Sequence, residues 1–197
     1  MNTNRPVEGS QIAVLPIRDQ KDIKLIKKHL ADNPRDLALF TLGINTNLRA
    51  SDLLKITIGQ VRHLKPGDEI FRYKEKKTRK ERTITINQTV HDTIQALLAT
   101  MPEAQDDAPL FQSRKGGAAL TVSTLNNMVK AWCKEINLKG NYGSHTLRKT
   151  FGYIHRTVFK TDIPTLMTMF NHSSQKQTLD YLCIQPEEIK DAYMKEI

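Results

Sequence analysis

The feature that most limits how this chain can fold is a single change in its apolar rhythm. Before residue 55 and after residue 86, apolar side chains recur at three- and four-residue steps, the pattern of helices buried along one face. Between residues 55 and 86 the period moves towards two. KITI, EIFRY and RTITI read there as three short strands, with Pro66-Gly67 and the basic tip KEKKTRKE (residues 74–81) as their turns. The expectation is an α+β, mainly helical domain with a small three-stranded antiparallel sheet at one edge. A chain of 197 residues is long enough to bury one core of this kind.

The helical stretches carry their own start signals. Asp19 can cap a helix bearing Ile23, Ile26 and Leu30. Asn33-Pro34-Arg35-Asp36 combines an N-cap, a first-turn proline and an acid at the positive end of the helix dipole, ahead of an apolar stripe of Leu37, Phe40, Ile44 and Leu48. Further helices are predicted over 88–99 and over 121–136, the second with Val122, Leu125, Val129 and Trp132 turned inward. Ser144 is expected to cap a helix carrying His145, Arg148, Phe151 and Ile154, and Ser173 or Ser174 to open the helix of Tyr181. Residues 1–10 read as a flexible N-terminus and 11–185 as the domain. Pro186 precedes a terminal helix over 186–197 with Ile189, Ala192, Tyr193 and Ile197 on one side, free to dock at home or on a neighbour in trans.

Charge narrows the partners. Thirty Lys and Arg against twenty-one Asp and Glu give +9, which favours a polyanion, nucleic acid ahead of membrane. The two cysteines, Cys133 and Cys183, lack metal-ligand spacing and the density of a disulfide framework, so both read as reduced thiols. No signal-like apolar segment or membrane-length apolar run occurs, and the expected location is the cytoplasm.

Residues 143–182 hold the densest chemistry. His145 and Arg148 lie three apart on one helical face, and His172 and Tyr181 follow, nine positions apart. Two bases, a guanidinium and a phenol in one window point to an anionic substrate and a nucleophile that needs no metal. A zinc site from His145, His155 and His172 would lack a completing cysteine pair or acid. Taken singly, each residue has a plainer reading: an arginine in a surface ion pair, or a tyrosine half-buried on an amphipathic helix, as is expected of Tyr142, Tyr153 and Tyr193.

Taken in order, these segments resemble the catalytic domain of the tyrosine recombinases, the phage integrase family of site-specific DNA recombinases, over roughly residues 12–190. TNLRASDLL is similar to its first arginine box, with Arg49 and the acid Asp52. KKTRKERTITI supplies the strand-turn lysine as Lys77, HTLRKTF gives His145 and Arg148, FNHSS gives His172, and DYL gives Tyr181. LFQSRKGGAALT matches a connecting segment of the family. Each box alone is weak, but five in order are strong. Two departures stand out: Asn47 replaces the glycine usual in the first box, and Phe170-Asn171 replaces the Leu-Gly usual before the third histidine. Asparagine most readily shares glycine's left-handed backbone, so both changes are expected to be tolerated.

The resemblance implies a recombinase that cuts and rejoins DNA through a covalent 3′-phosphotyrosyl link to Tyr181, with neither metal nor ATP nor other cofactor. Arg49, Arg148 and His172 would clamp the phosphate, His145 would serve as base and Lys77 as acid, with Asp52 supporting Arg49. The remaining cations Lys74, Lys76, Arg79 and Lys80 of the tip, with Arg114, Lys115 and Lys149, are assigned to double-stranded DNA. The implied assembly is a homotetramer on DNA, a monomer or weak dimer alone, with room for an accessory DNA-bending or targeting protein. The chain is expected to be a short form without the family's usual core-binding domain, resembling the invertases that flip fimbrial promoters, and so to bind DNA weakly and salt-sensitively. Two other functions fit parts of the sequence: nicking and resealing like a type IB topoisomerase, and DNA-binding regulation with an unused site.

Overall fold

The computed structural model describes residues 14–69, 73–74, 81–114, 116–184, 190 and 192–196. Its helices are α1 (Gln20–His29), α2 (Pro34–Asn45), α3 (Ala50–Leu53), α4 (Gln88–Leu98), α5 (Val122–Glu135), α6 (Ser144–Thr157), α7 (Ile163–Phe170) and α8 (Gln175–Leu182). Their starts follow local chemistry. Side chains of Asp19, Asn33, Asn87, Thr121, Asp162 and Ser174 each accept a backbone N–H of the first turn, relieving donors that a helix start leaves unpaired. Gly143, rather than Ser144, caps α6. Ser144 is the first helical residue, and its N–H donates to Asn126 Oδ1 at 3.1 Å, so α5 supplies the cap.

The expected three-stranded sheet is not formed. Among the described residues there is one antiparallel pair, β1 (Tyr73–Lys74) with β2 (Glu81–Arg82), Tyr73 opposite Arg82, extended by a lone bridge between Glu69 and Thr85. KITI leaves the hairpin altogether. Ile58 N–H donates to the Ala108 carbonyl at 3.0 Å and Leu110 N–H to the Ile56 carbonyl at 2.8 Å, so this run pairs with the segment before Phe111. Thr57 opposes Pro109 there as a single bridge, and a proline has no N–H to extend a ladder. The alternation in KITI records burial, since Ile56 and Ile58 are both fully buried.

Two apolar clusters organise the rest. The larger joins α1, α2, α4 and α5 through Ile26, Leu39, Phe40, Ile94, Leu125 and Val129, with Trp132 set edge-on to Phe40 at 5.8 Å between centroids. The smaller lies between α6, α7 and α8 and consists of Phe151, Ile163, Leu166, Phe170, Leu182 and Ile184. Val122, expected inward, is 42% exposed at the first turn of α5. Tyr193, expected half-buried, is 86% exposed, and half of the 186–197 stretch lies outside the described residues.

Candidate active site

Helix α6 is the strut of the site. It carries Arg148 inward and His145 outward, although the two are three residues apart. Arg148 is only 6% exposed. One guanidinium nitrogen donates to the Asn47 carbonyl and another to the Phe170 carbonyl at 3.3 Å, while the group lies 4.9 Å from the centre of the Phe170 ring. A buried cation is tolerable only when its donors find acceptors, and these two carbonyls provide them.

Phe170 sits at the middle of the cluster. Its ring stacks on His172 and tilts against Tyr181, each at 5.3 Å between centroids, and His172 meets Tyr181 edge-on at 5.3 Å. Asn171 ends α7 in the left-handed region (φ 55°, ψ 47°), and the next N–H, that of His172, returns to the Met167 carbonyl at 2.9 Å. That reversal turns His172 towards α8. Thr178 Oγ1, buried on α8, bonds His172 Nδ1 at 3.0 Å and fixes the ring.

Tyr181 closes the cluster. Its hydroxyl is buried against the Arg148 guanidinium. Burial pushes the phenol above its ordinary pKa of 10.0, while the charges of Arg148 and Arg49 pull it back down. The guanidinium of Arg148 opposes the burial both by its charge and by a hydrogen bond to the phenol. Lys149, next to Arg148 and itself 8% exposed, places its ammonium 5.0 Å from the Tyr181 ring centre and 3.5 Å from Cys183 Sγ. Both cysteines are free thiols, and burial pushes that of Cys133 up to about 12, which leaves it inert.

Arg49 is exposed at the start of α3, and its carbonyl accepts the N–H of Asp52 at 2.9 Å. Its charge reaches the Tyr181 phenol. His145 is solvent-exposed, yet partial desolvation and then the charges of Arg148 and Lys149 hold its imidazole below the ordinary 6.5. At neutral pH it is therefore unprotonated, able to accept a proton. The structure thus brings Arg148, His172 and Tyr181 into one cluster, with Arg49 and His145 at its rim.

Arg114 is exposed in a turn, and Lys149 lies inward against Tyr181. Lys77, Lys76, Arg79, Lys80 and Lys115 lie outside the described residues, and of Lys74 the backbone alone is described. Thr178 is a contributor the sequence reading missed, because a threonine on an amphipathic helix carries no local mark of what it faces, and Phe170 stood out there only as a departure from the usual leucine. Asn47 had a signal, as a departure from the usual glycine. It takes φ 54°, as Asn171 takes φ 55°, so both asparagines adopt the left-handed backbone.

The fold is that of a tyrosine recombinase catalytic domain. It superposes on the XerA recombinase with a TM-score of 0.72 at 18% identity, covering 98% of this chain and 68% of that one. For XerH bound to a palindromic difH substrate after cleavage the TM-score is 0.69 at 18% identity, covering 96% and 55%. Sequence relatives agree. The probable integrase/recombinase YoeC of Bacillus subtilis (strain 168) is 34% identical over 183 residues, which cover 91% of this chain and 95% of that protein. The tyrosine recombinase XerC of Caldanaerobacter subterraneus subsp. tengcongensis is 29% identical over 164 residues, 82% of this chain and 44% of that protein. The profile of the phage integrase family matches residues 18–188. The chain belongs to the phage integrase family, the tyrosine-type site-specific DNA recombinases. No helix among the described residues is long and apolar enough to cross a membrane.

Proposed function

We propose that this protein breaks and rejoins DNA strands by transesterification through Tyr181. The phenol oxygen attacks a phosphodiester, forms a 3′-phosphotyrosyl bond and releases a 5′-hydroxyl; attack by another strand's 5′-hydroxyl reverses the step and frees Tyr181. The bond energy stays in the ester, so the step balances without ATP. Arg49 and Arg148 hold the non-bridging oxygens as negative charge grows, with His172 as a further donor, and His145 accepts the phenol proton. Lys77 is the candidate acid for the leaving oxygen, and Asp52 supports Arg49. Lys74, Lys76, Arg79, Lys80, Arg114 and Lys115 contact double-stranded DNA.

The observation that carries this reading is the Tyr181 hydroxyl, buried beside the Arg148 guanidinium and within the field of Arg49. The test uses nicked suicide duplexes drawn from the chain's genomic surroundings. A covalent protein–DNA adduct, mapped to Tyr181 and absent in Tyr181→Phe, is the expected result. An adduct that persists in Tyr181→Phe, or none with any duplex, refutes the reading.

Strand exchange needs two duplexes and hence several copies, which we place as a tetramer on DNA. Tyr193 and Met194, 86% and 73% exposed, give the C-terminal stretch an apolar surface for a neighbouring copy in trans.

A further inference from the structure

We infer that Asn47 is a positioning residue for the arginine clamp: its side chain latches the turn before Arg49 onto the end of α7 and so closes the carbonyl cradle that holds Arg148. This rests on the reading of Arg148 as a phosphate-binding group. Two acceptors of Arg148 come from distant parts of the chain, the Asn47 carbonyl after α2 and the Phe170 carbonyl at the end of α7. Asn47 Nδ2 ties these two helix ends together, donating to the Met169 carbonyl at 2.5 Å across 122 residues of sequence. One residue therefore gives Arg148 an acceptor through its backbone and anchors the neighbouring acceptor through its side chain.

Two details make the latch specific to this side chain. Asn47 is 8% exposed with φ 54°, so the position demands a residue that tolerates the left-handed region. Its amide oxygen is buried without a hydrogen bond. The donor end alone sets the amide's orientation, because a flipped amide would place oxygen against the Met169 carbonyl. The turn it holds also delivers Arg49, two residues later in the sequence.

The test compares Asn47→Gly with wild type in single-turnover cleavage of a nicked suicide duplex. Glycine takes the same backbone at no steric cost, so the fold is kept and the latch alone is lost. Loss of one buried hydrogen bond to the cradle predicts adduct formation slowed about tenfold, with duplex affinity within twofold of wild type. Asn47→Asp, which removes the donor and faces a carboxylate to the Met169 carbonyl, should slow it at least as much. In the free protein, the ¹⁵N guanidinium signal of Arg148, assigned with Arg148→Lys, should report hindered rotation in wild type and faster rotation in Asn47→Gly.

Cleavage by Asn47→Gly within twofold of wild type, or an unchanged Arg148 signal, overturns the inference. So does a loss of rate that vanishes at low temperature, since that would reflect stability alone. If wild type forms no adduct, the proposed function fails, and the Arg148 signal still decides whether the latch exists.

Discussion

Arg148 shows how one side chain can serve both the fold and the site. It satisfies two buried carbonyls, stacks on Phe170 and biases the Tyr181 phenol. Arg148→Met should therefore be costly twice over: the Asn47 and Phe170 carbonyls lose their donor, and the phosphate loses a fork. Loss of one such preorganised donor predicts cleavage slower by about a hundred- to a thousandfold, read as initial adduct formation. Arg148→Lys should recover little of it, because an ammonium cannot span both carbonyls as a planar fork does. That HTLRKTF would hold a buried arginine was not legible in the motif. The spacing places His145 and Arg148 on one face, but only the packing of α2 and α7 over that face decides which of them is covered. The same applies to Lys149, a surface cation by composition that packs beneath Tyr181 in the fold.

At the scale of elements, α6 is the member others are measured against. Gly152 lets α8 and the end of α7 approach it: a Cβ there would strike Leu182 Cδ2 and come within 2.6 Å of Phe170 Cζ. Gly152→Ala should destabilise the protein by about 1–3 kcal/mol in urea unfolding and displace the helix that bears Tyr181. Helix α6 also sets the pH behaviour. His145 and His155 are both held below their ordinary 6.5, chiefly by desolvation, so the unfolded chain binds protons more readily than the native one. Their contribution is fully present above pH 6.5 and is lost as pH falls from there through the lowered folded values. The thermal midpoint should thus drop between pH 6.5 and pH 5, and His155→Gln should flatten that drop. Helices were the legible part of the sequence, since caps such as Asp19, Asn33 and Thr121 act within a few residues of themselves. The sheet was not, because KITI alternates for reasons of burial and its partner lies some fifty residues on, beyond any local pattern.

For the whole molecule, +9 on 197 residues should make DNA affinity fall steeply with salt, log K declining linearly with log salt. Affinity that barely changes between 50 and 200 mM salt, roughly the range over which phosphate contacts are lost, would contradict an interface built on phosphate contacts. Deleting residues 186–197 should abolish strand exchange between duplexes while leaving adduct formation on a suicide duplex, measured side by side. The sequence by itself determined the helices other than α3 and α7, the cationic balance and the ordered boxes that mark the family, because each is written in residue type and short-range spacing. It also showed that asparagine at positions 47 and 171 can stand in for a glycine, a property of asparagine itself. Tertiary structure alone decided that Phe170 stands between Arg148, His172 and Tyr181, that Thr178 orients His172, and that Asn47 ties its turn to α7. Those contacts join positions up to 122 residues apart, and a close-packed interior selects them by shape and by the need to pair each buried polar group, neither of which a local pattern encodes.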